Sequence, residues 1–272
     1  MIASLLYIAA MEEELLYGGV ANAGAVVRQG SHVLRPSNQH SATIHRALSS
    51  LRATGFEGAS YPVGIDADGR ERLEFIDGDV PLPPYPDWAR SDEALESVAH
   101  LMRGVHDASM AINLTSGTWS MEMADPRGGP VLCHNDVCLE NVVFRDGRAI
   151  ALLDFDFAAP GRRVFDVASF ARMCVPIDDE INAGRLGWLS QDSPSRLRLV
   201  ADAYGLETTE RLELLRILGN SIDRGGEFVR RRVEAGEPGF VKMWEEMGGS
   251  ERFDRRRRWW SEDGPNFATA LK

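Results

Sequence analysis

Between Val131 and Ala168 the chain reads VLCHNDVCLENVVFRDGRAIALLDFDFAAPGRRVFDVA. This stretch holds His134-Asn135-Asp136, Asn141 five residues after Asp136, Asp154-Phe155-Asp156, and Asp166-Val167-Ala168. Those residue types at that spacing suit phosphoryl transfer, whose loose transition state leaves the protein mainly positioning and electrostatic work. Asp136 can orient or deprotonate an acceptor hydroxyl. Asn141 and Asp154 offer the hard oxygen ligands that Mg²⁺ prefers. The eighteen-residue step from Asp136 to Asp154 is the length of one β-hairpin, which returns both loops to the same edge. A lone Asp-x-Asp would say little, because glycosyltransferases and metal nucleases use it too. The ordered set at strand ends is far more specific.

Holding these groups in place takes a strand into Asp136, a hairpin between Asn141 and Asp154, and a helix behind Asp166. The pattern supplies all three. Residues 131–133 are apolar, 141–144 and 149–153 flank an Asp146-Gly147 turn, and 164–175 read as a helix stopped by Pro176. Upstream, residues 25–29 and 32–35 form a hairpin over Gly30-Ser31, and 61–65 and 72–76 two more strands around Asp68-Gly69. Between them a helix begins near Ser37 or Ser41, carries Ile44, Ala47, Leu48 and Leu51 on one face, and ends at Gly55. Residues 77–86 carry four prolines and break regularity. Beyond them Ser91 caps a helix with Leu95, Val98, Met102 and Val105 at helical spacing, Ser193 caps another, and long amphipathic runs follow Thr208. The expectation is an α+β, bilobal, protein-kinase-like fold. Residues 11–79 form a small β-rich, nucleotide-binding N-lobe, and 80–272 a larger, mainly helical C-lobe with the catalytic loop and substrate-binding helices. Residues 1–10 read as an extension upstream of the initiator, Met11 being the more natural start.

Composition narrows the function classes. At 272 residues with 44% hydrophobic content there is ample material for a core. A net charge of −11 argues against nucleic acid as a partner and is compatible with a cationic one. No apolar run is long enough to span a membrane. Cys133, Cys138 and Cys174, an odd number without metal-ligand spacing, suit a reducing, cytoplasmic location. Only two of the 30 basic residues are lysines, Lys242 and Lys272, so any phosphate-binding cation in the first half must be an arginine.

The catalytic stretch resembles the aminoglycoside phosphotransferase/choline kinase superfamily. That family's signature is His-(Gly/Asn)-Asp-x-x-x-x-Asn, then an Asp-aromatic-x element and Asp-(Leu/Val)-Ala. Gly18-Gly19 and Asn22, Gly69-Arg70-Glu71, Phe75-Ile76-Asp77-Gly78 and Val105-His106-Asp107 extend the likeness over most of residues 11–175. The resemblance implies ATP- or GTP-dependent O-phosphorylation of a small hydroxylated molecule such as an amino sugar or amino alcohol. Asp136 would be catalytic, Asn141 and Asp154 on Mg²⁺, and His134 and Asp166 bracing the loop. Gly19 and Asn22 would lie in a segment folded over the phosphates, which reads equally as a plain turn. Glu74 to Ile76 would present main-chain groups to the base.

Two departures from the general kinase pattern stand out. The third-strand cation is Arg35 instead of lysine, and the following helix has no glutamate, none occurring between Arg35 and Glu57. These favour a second reading, a catalytically silent, pseudokinase-like nucleotide-binding regulator. The intact Asp136/Asn141/Asp154 set opposes it. On the substrate side, Asp156 takes a position that is glycine in many kinases and is placed to serve the metal site or a cationic acceptor. Asp178 and Asp179 suit a cationic pocket or a solvated helix start. Arg255–Arg258 with Trp259-Trp260 read as a helix of salt-bridged arginines and buried tryptophans.

Overall fold

A computed structural model describes residues 13–16, 24–188 and 192–272. Residues 1–10, Gly19 and Asn22 lie outside these. Five antiparallel strands open the fold: β1 (Glu14–Leu15), β2 (Val27–Gln29), β3 (His32–Pro36), β4 (Pro62–Ile65) and β5 (Arg70–Glu74), ordered β1-β2-β3-β5-β4. Between β3 and β4 runs α1 (Ser41–Ala53), whose buried face is the expected Ile44, Ala47, Leu48 and Leu51, and Gly55 at φ +89° follows its end. Ser41 serves the turn before the helix, its Oγ accepting the Asn38 N–H at 2.8 Å. Ile44, Leu48 and Leu51 each contribute roughly 1.5–3 kcal/mol by burial.

The two-stranded units beyond the proline segment carry the loops of interest. β6 (Val131–Cys133) pairs with β9 (Ala159–Gly161), and β7 (Val142–Arg145) with β8 (Arg148–Leu152). The β7–β8 hairpin is stitched to the N-lobe at two points. Ala59 bridges Leu152, and Asp79 exchanges two 2.8 Å hydrogen bonds with Phe144. Gly78 permits the second contact, since a Cβ there would sit 2.5 Å from the Phe144 carbonyl oxygen.

Helices make up most of the remainder: α2 (Asp92–Ser109), α3 (Arg163–Cys174), α4 (Glu180–Arg185), α5 (Ser193–Tyr204), α6 (Thr208–Glu234), α7 (Pro238–Glu246) and α8 (Gly249–Ala270). Ser91 caps α2, accepting the Ala94 N–H. For α5 the cap is Asp192, which accepts the Ser195 N–H, while Ser193 instead donates to the Pro176 carbonyl at 2.8 Å. A carboxylate one residue upstream displaces the expected serine because Ser193 is turned inward. The core is continuous, from Leu51 and Tyr61 through Phe144, Leu152 and Phe170 to Leu218 and Phe267. The architecture is the expected α+β kinase-like one. No helix among the described residues is long and apolar enough to cross a membrane.

Candidate functional site

The His134-Asn135-Asp136 segment is fixed from behind by one carboxylate. Asp166, in the first turn of α3 and 1% exposed, accepts the N–H groups of His134 and Asn135, each at 2.7 Å. His106 adds a third contact, Nε2 lying 3.0 Å from Asp166 while Nδ1 meets the Tyr204 hydroxyl at 2.6 Å. Burial by itself would raise the Asp166 pKa. The His106 hydrogen bond, the neighbouring imidazoles and the backbone donor outweigh it and hold the carboxyl below its ordinary value. Two residues the sequence reading left aside complete the brace. Ser169 Oγ donates to the Asn135 carbonyl at 2.7 Å, and Asn135 Nδ2 to that of Phe157 at 2.8 Å.

His134 ties the loops together. Its Nε2 lies 2.7 Å from the carbonyl of Leu153, the residue before Asp154, and its Nδ1 accepts the Asp136 N–H at 3.3 Å. Asn135 and Asp154 both adopt left-handed backbone, at φ +66° and +56°. Asn and Asp tolerate that region better than most side chains, yet it costs of order 1 kcal/mol or more, and it turns both loops to one edge.

Asn141 closes the arrangement on Asp136. Its Nδ2 donates to the Asp136 carbonyl at 2.9 Å and approaches Oδ2 at 3.5 Å, so its Oδ1 faces away from Asp136. That leaves an amide oxygen and the Asp154 carboxylate as hard donors, a set that fits Mg²⁺. The Asp136 carboxyl is pushed up to about 6, chiefly by burial. Asp154 and Glu140 add to the rise, and His134 and Arg172 oppose it. A carboxylate poised there would change protonation state near neutral pH, as a general base must.

Arg35 reaches the same edge from β3. It is 7% exposed, and each guanidinium nitrogen has its own carboxylate: Nε to Glu71 at 2.7 Å, Nη1 to Asp154 at 2.7 Å, Nη2 to Asp156 at 2.5 Å. Burial would lower the Arg35 pKa, but the three anions together raise it. Asp156 is pushed up to about 6, mainly by burial and by Asp154, with Arg35 pulling the other way. Glu71 supplies the carboxylate that the helix lacks. It stands directly opposite Arg35 in the β3–β5 register, and the helix contributes His45, 3.5 Å from the other Glu71 oxygen. The Gly69-Arg70-Glu71 turn made the residue visible in the sequence. Only strand register reveals its partner.

Other expected site residues are placed differently. Glu74 spends its N–H on the Tyr61 carbonyl, its carbonyl on Ser60 Oγ and its carboxylate on Arg52, so it faces its sheet neighbours instead of a base. Ile76 lies just beyond β5, and neither of its main-chain groups has a hydrogen-bond partner among the described residues. Asp178 and Asp179 are 9% and 8% exposed. Asp179 caps α4 and meets Arg255, while Asp178 accepts from Asn182 and lies between Arg252 and Arg256 at 3.4 and 3.7 Å. Their charge is committed to the arginines of α8, 74 or more residues downstream, and not to an acceptor.

Comparison with known proteins fits this geometry. Residues 118–200 match the family model described as "Phosphotransferase enzyme family". The chain is 31% identical over 192 residues to the trifolitoxin immunity protein of Rhizobium leguminosarum bv. trifolii, spanning 68% of this chain and 72% of that protein. Among solved structures it is similar to a choline/ethanolamine kinase family protein from Mesorhizobium loti, with a TM-score of 0.64, 14% identity, and 98% and 93% of the two chains covered. The GDP complex of aminoglycoside 2'-phosphotransferase-IIIa gives a TM-score of 0.60 at 14% identity, covering 93% and 94%.

Proposed function

The chain belongs to the aminoglycoside phosphotransferase/choline kinase superfamily, and on that premise we propose that it is an ATP- or GTP-dependent O-phosphotransferase acting on a hydroxyl of a small molecule. The observation that carries this reading is the convergence of Asp136, Asn141, Asp154 and Arg35 on one edge, bridged by His134. Asp136 accepts the acceptor hydroxyl's proton, or a hydrogen bond from it, and aligns its oxygen for in-line attack. Asn141 and Asp154 are the residues that would hold Mg²⁺, which when bound neutralises charge on the phosphates. Arg35 is anchored through Nε to Glu71, and its Nη1 and Nη2, paired here with Asp154 and Asp156, are the fork that would meet phosphate oxygens once Asp154 turns to the metal. Asp166, His106 and Ser169 hold the loop so that Asp136 needs no reorganisation. The Arg35–Glu71 pair supplies the carboxylate that the helix lacks, one of the two departures that favoured a silent regulator; arginine in place of lysine is the other.

The test is a thermal-shift titration with ATP, GTP and ADP, with and without Mg²⁺, alongside the Asp136→Asn variant. A Mg-dependent rise in melting temperature that survives in the variant, while its turnover is lost, supports the reading. Turnover undiminished in Asp136→Asn would sink the role given to Asp136, and no shift with any nucleotide would sink the reading as a whole.

A further inference from the structure

Three carboxylates hold Arg35, and only one of them lies in its own sheet. Asp154 and Asp156 come from the loop after β8, whereas Glu71 stands opposite Arg35 in the β3–β5 register, 2.7 Å from Nε. On the phosphotransferase reading, Asp154 turns to the metal and phosphate oxygens take the place of Asp156. The guanidinium is then held through Glu71 alone. A carboxylate can fix that fork only if it is fixed itself. Oε2 of Glu71 takes Arg35 Nε, while Oε1 is buried and has no hydrogen-bond partner among the described residues. The atom that faces Oε1 is His45 Nε2, 3.5 Å away on α1. It too is buried and without a hydrogen-bond partner among the described residues.

Two orphaned polar atoms facing each other inside a fold are costly unless they meet. An imidazole with hydrogen on Nε2 donates and a carboxylate oxygen accepts, so the two are complementary. The gap exceeds a hydrogen bond by about half an ångström, which a small approach of α1 to β5 closes. The start of α1 is held at this height from its other side. Thr43 Oγ1 accepts the Thr118 N–H at 2.9 Å, and His40 Nδ1 lies 3.0 Å from the Thr118 carbonyl. Gly117 allows that approach, since a Cβ there would come within 2.5 Å of Thr43. Resting on the phosphotransferase reading above, we propose that His45 is a positioning residue for the nucleotide phosphates. It holds Glu71 by the second carboxylate oxygen, and Glu71 in turn holds Arg35 while Nη1 and Nη2 exchange carboxylates for phosphate. The helix thus steadies the phosphate-binding cation with a histidine acting through a strand glutamate, where a helix glutamate would act directly.

The experiment measures, by isothermal titration calorimetry on the full chain, how much the phosphates add to nucleoside affinity: adenosine against Mg-ADP, and guanosine against Mg-GDP. His45→Gln and His45→Asn are compared because the glutamine amide reaches as far as Nε2, while the asparagine amide stops at the level of Nδ1. His45→Leu, which fills similar space without a donor, is a second probe of the same loss. His45→Asn and His45→Leu should each weaken the diphosphate by about threefold to tenfold and leave the nucleoside unchanged. His45→Gln should stay within about twofold of wild type. The proposal is overturned by an unchanged diphosphate affinity in His45→Asn or His45→Leu. It is equally overturned by a loss in His45→Gln as large as theirs, or by equal losses for nucleoside and diphosphate, which would mark a general disturbance of α1. A wild-type chain that binds neither Mg-ADP nor Mg-GDP would overturn the phosphotransferase reading itself, and the role of His45 with it.

Discussion

Replacing Glu71 by glutamine tests the Arg35–Glu71 pair at little steric cost, since the two side chains are nearly isosteric. Burial would raise the Glu71 pKa. The His45, Ser41 and Arg35 contacts more than offset that and bring it down to about 2 from an ordinary 4.5. A carboxylate so depressed contributes roughly 3 kcal/mol of stability when ionised. The sign follows from the direction of the shift. The contribution is complete above pH 4.5, where the unfolded chain's carboxylate is also ionised, and is lost as pH falls toward about 2. Glu71→Gln should therefore be less stable than wild type by about 3 kcal/mol at pH 7, in urea unfolding followed by circular dichroism, and the gap should close as pH falls below 4.5. The same change exchanges a charge-assisted bond on Arg35 Nε for a neutral one, a difference of about 1–1.5 kcal/mol, so the nucleotide KM should rise about tenfold. A stability gap that does not vary with pH, or an unchanged nucleotide KM, would refute the claim that an ionic pair sets the arginine's position.

Two further outcomes follow from the site. Asp136 must be ionised to accept a proton, and its carboxyl sits at about 6, so kcat/KM should fall with unit slope below about pH 6. Residual turnover in Asp154→Asn should show that limb at lower pH, because the Asp154 charge contributes to the rise. An acid limb that stays in place would remove Asp154 from the electrostatics of the base. Asp166→Ala strips the partner from the N–H groups of His134 and Asn135 and from His106, all buried. It should cost about 3–5 kcal/mol in denaturant unfolding and most of the activity. A loss below about 1 kcal/mol would mean that water replaces the carboxylate.

The sequence by itself was sufficient for whatever is local. The order and spacing of His134, Asp136, Asn141, Asp154 and Asp166, the Asp146-Gly147 hairpin, and the helices begun by Ser91 and stopped by Pro176 all rest on turn chemistry and periodicity within a few residues. The α+β division followed from the same signals. The tertiary structure decided which distant charges meet. Glu71 reaches Arg35 across 36 residues because β3 and β5 are neighbours in register, so a helix without a glutamate was no gap at all. Asp178 and Asp179 answer to arginines of α8 because that helix packs back over the start of α4. Periodicity marks a residue as buried or exposed, but a long side chain has many partners within reach. The packing of elements far apart in the chain selects among them, and here it spends two apparent pocket acids on buried ion pairs.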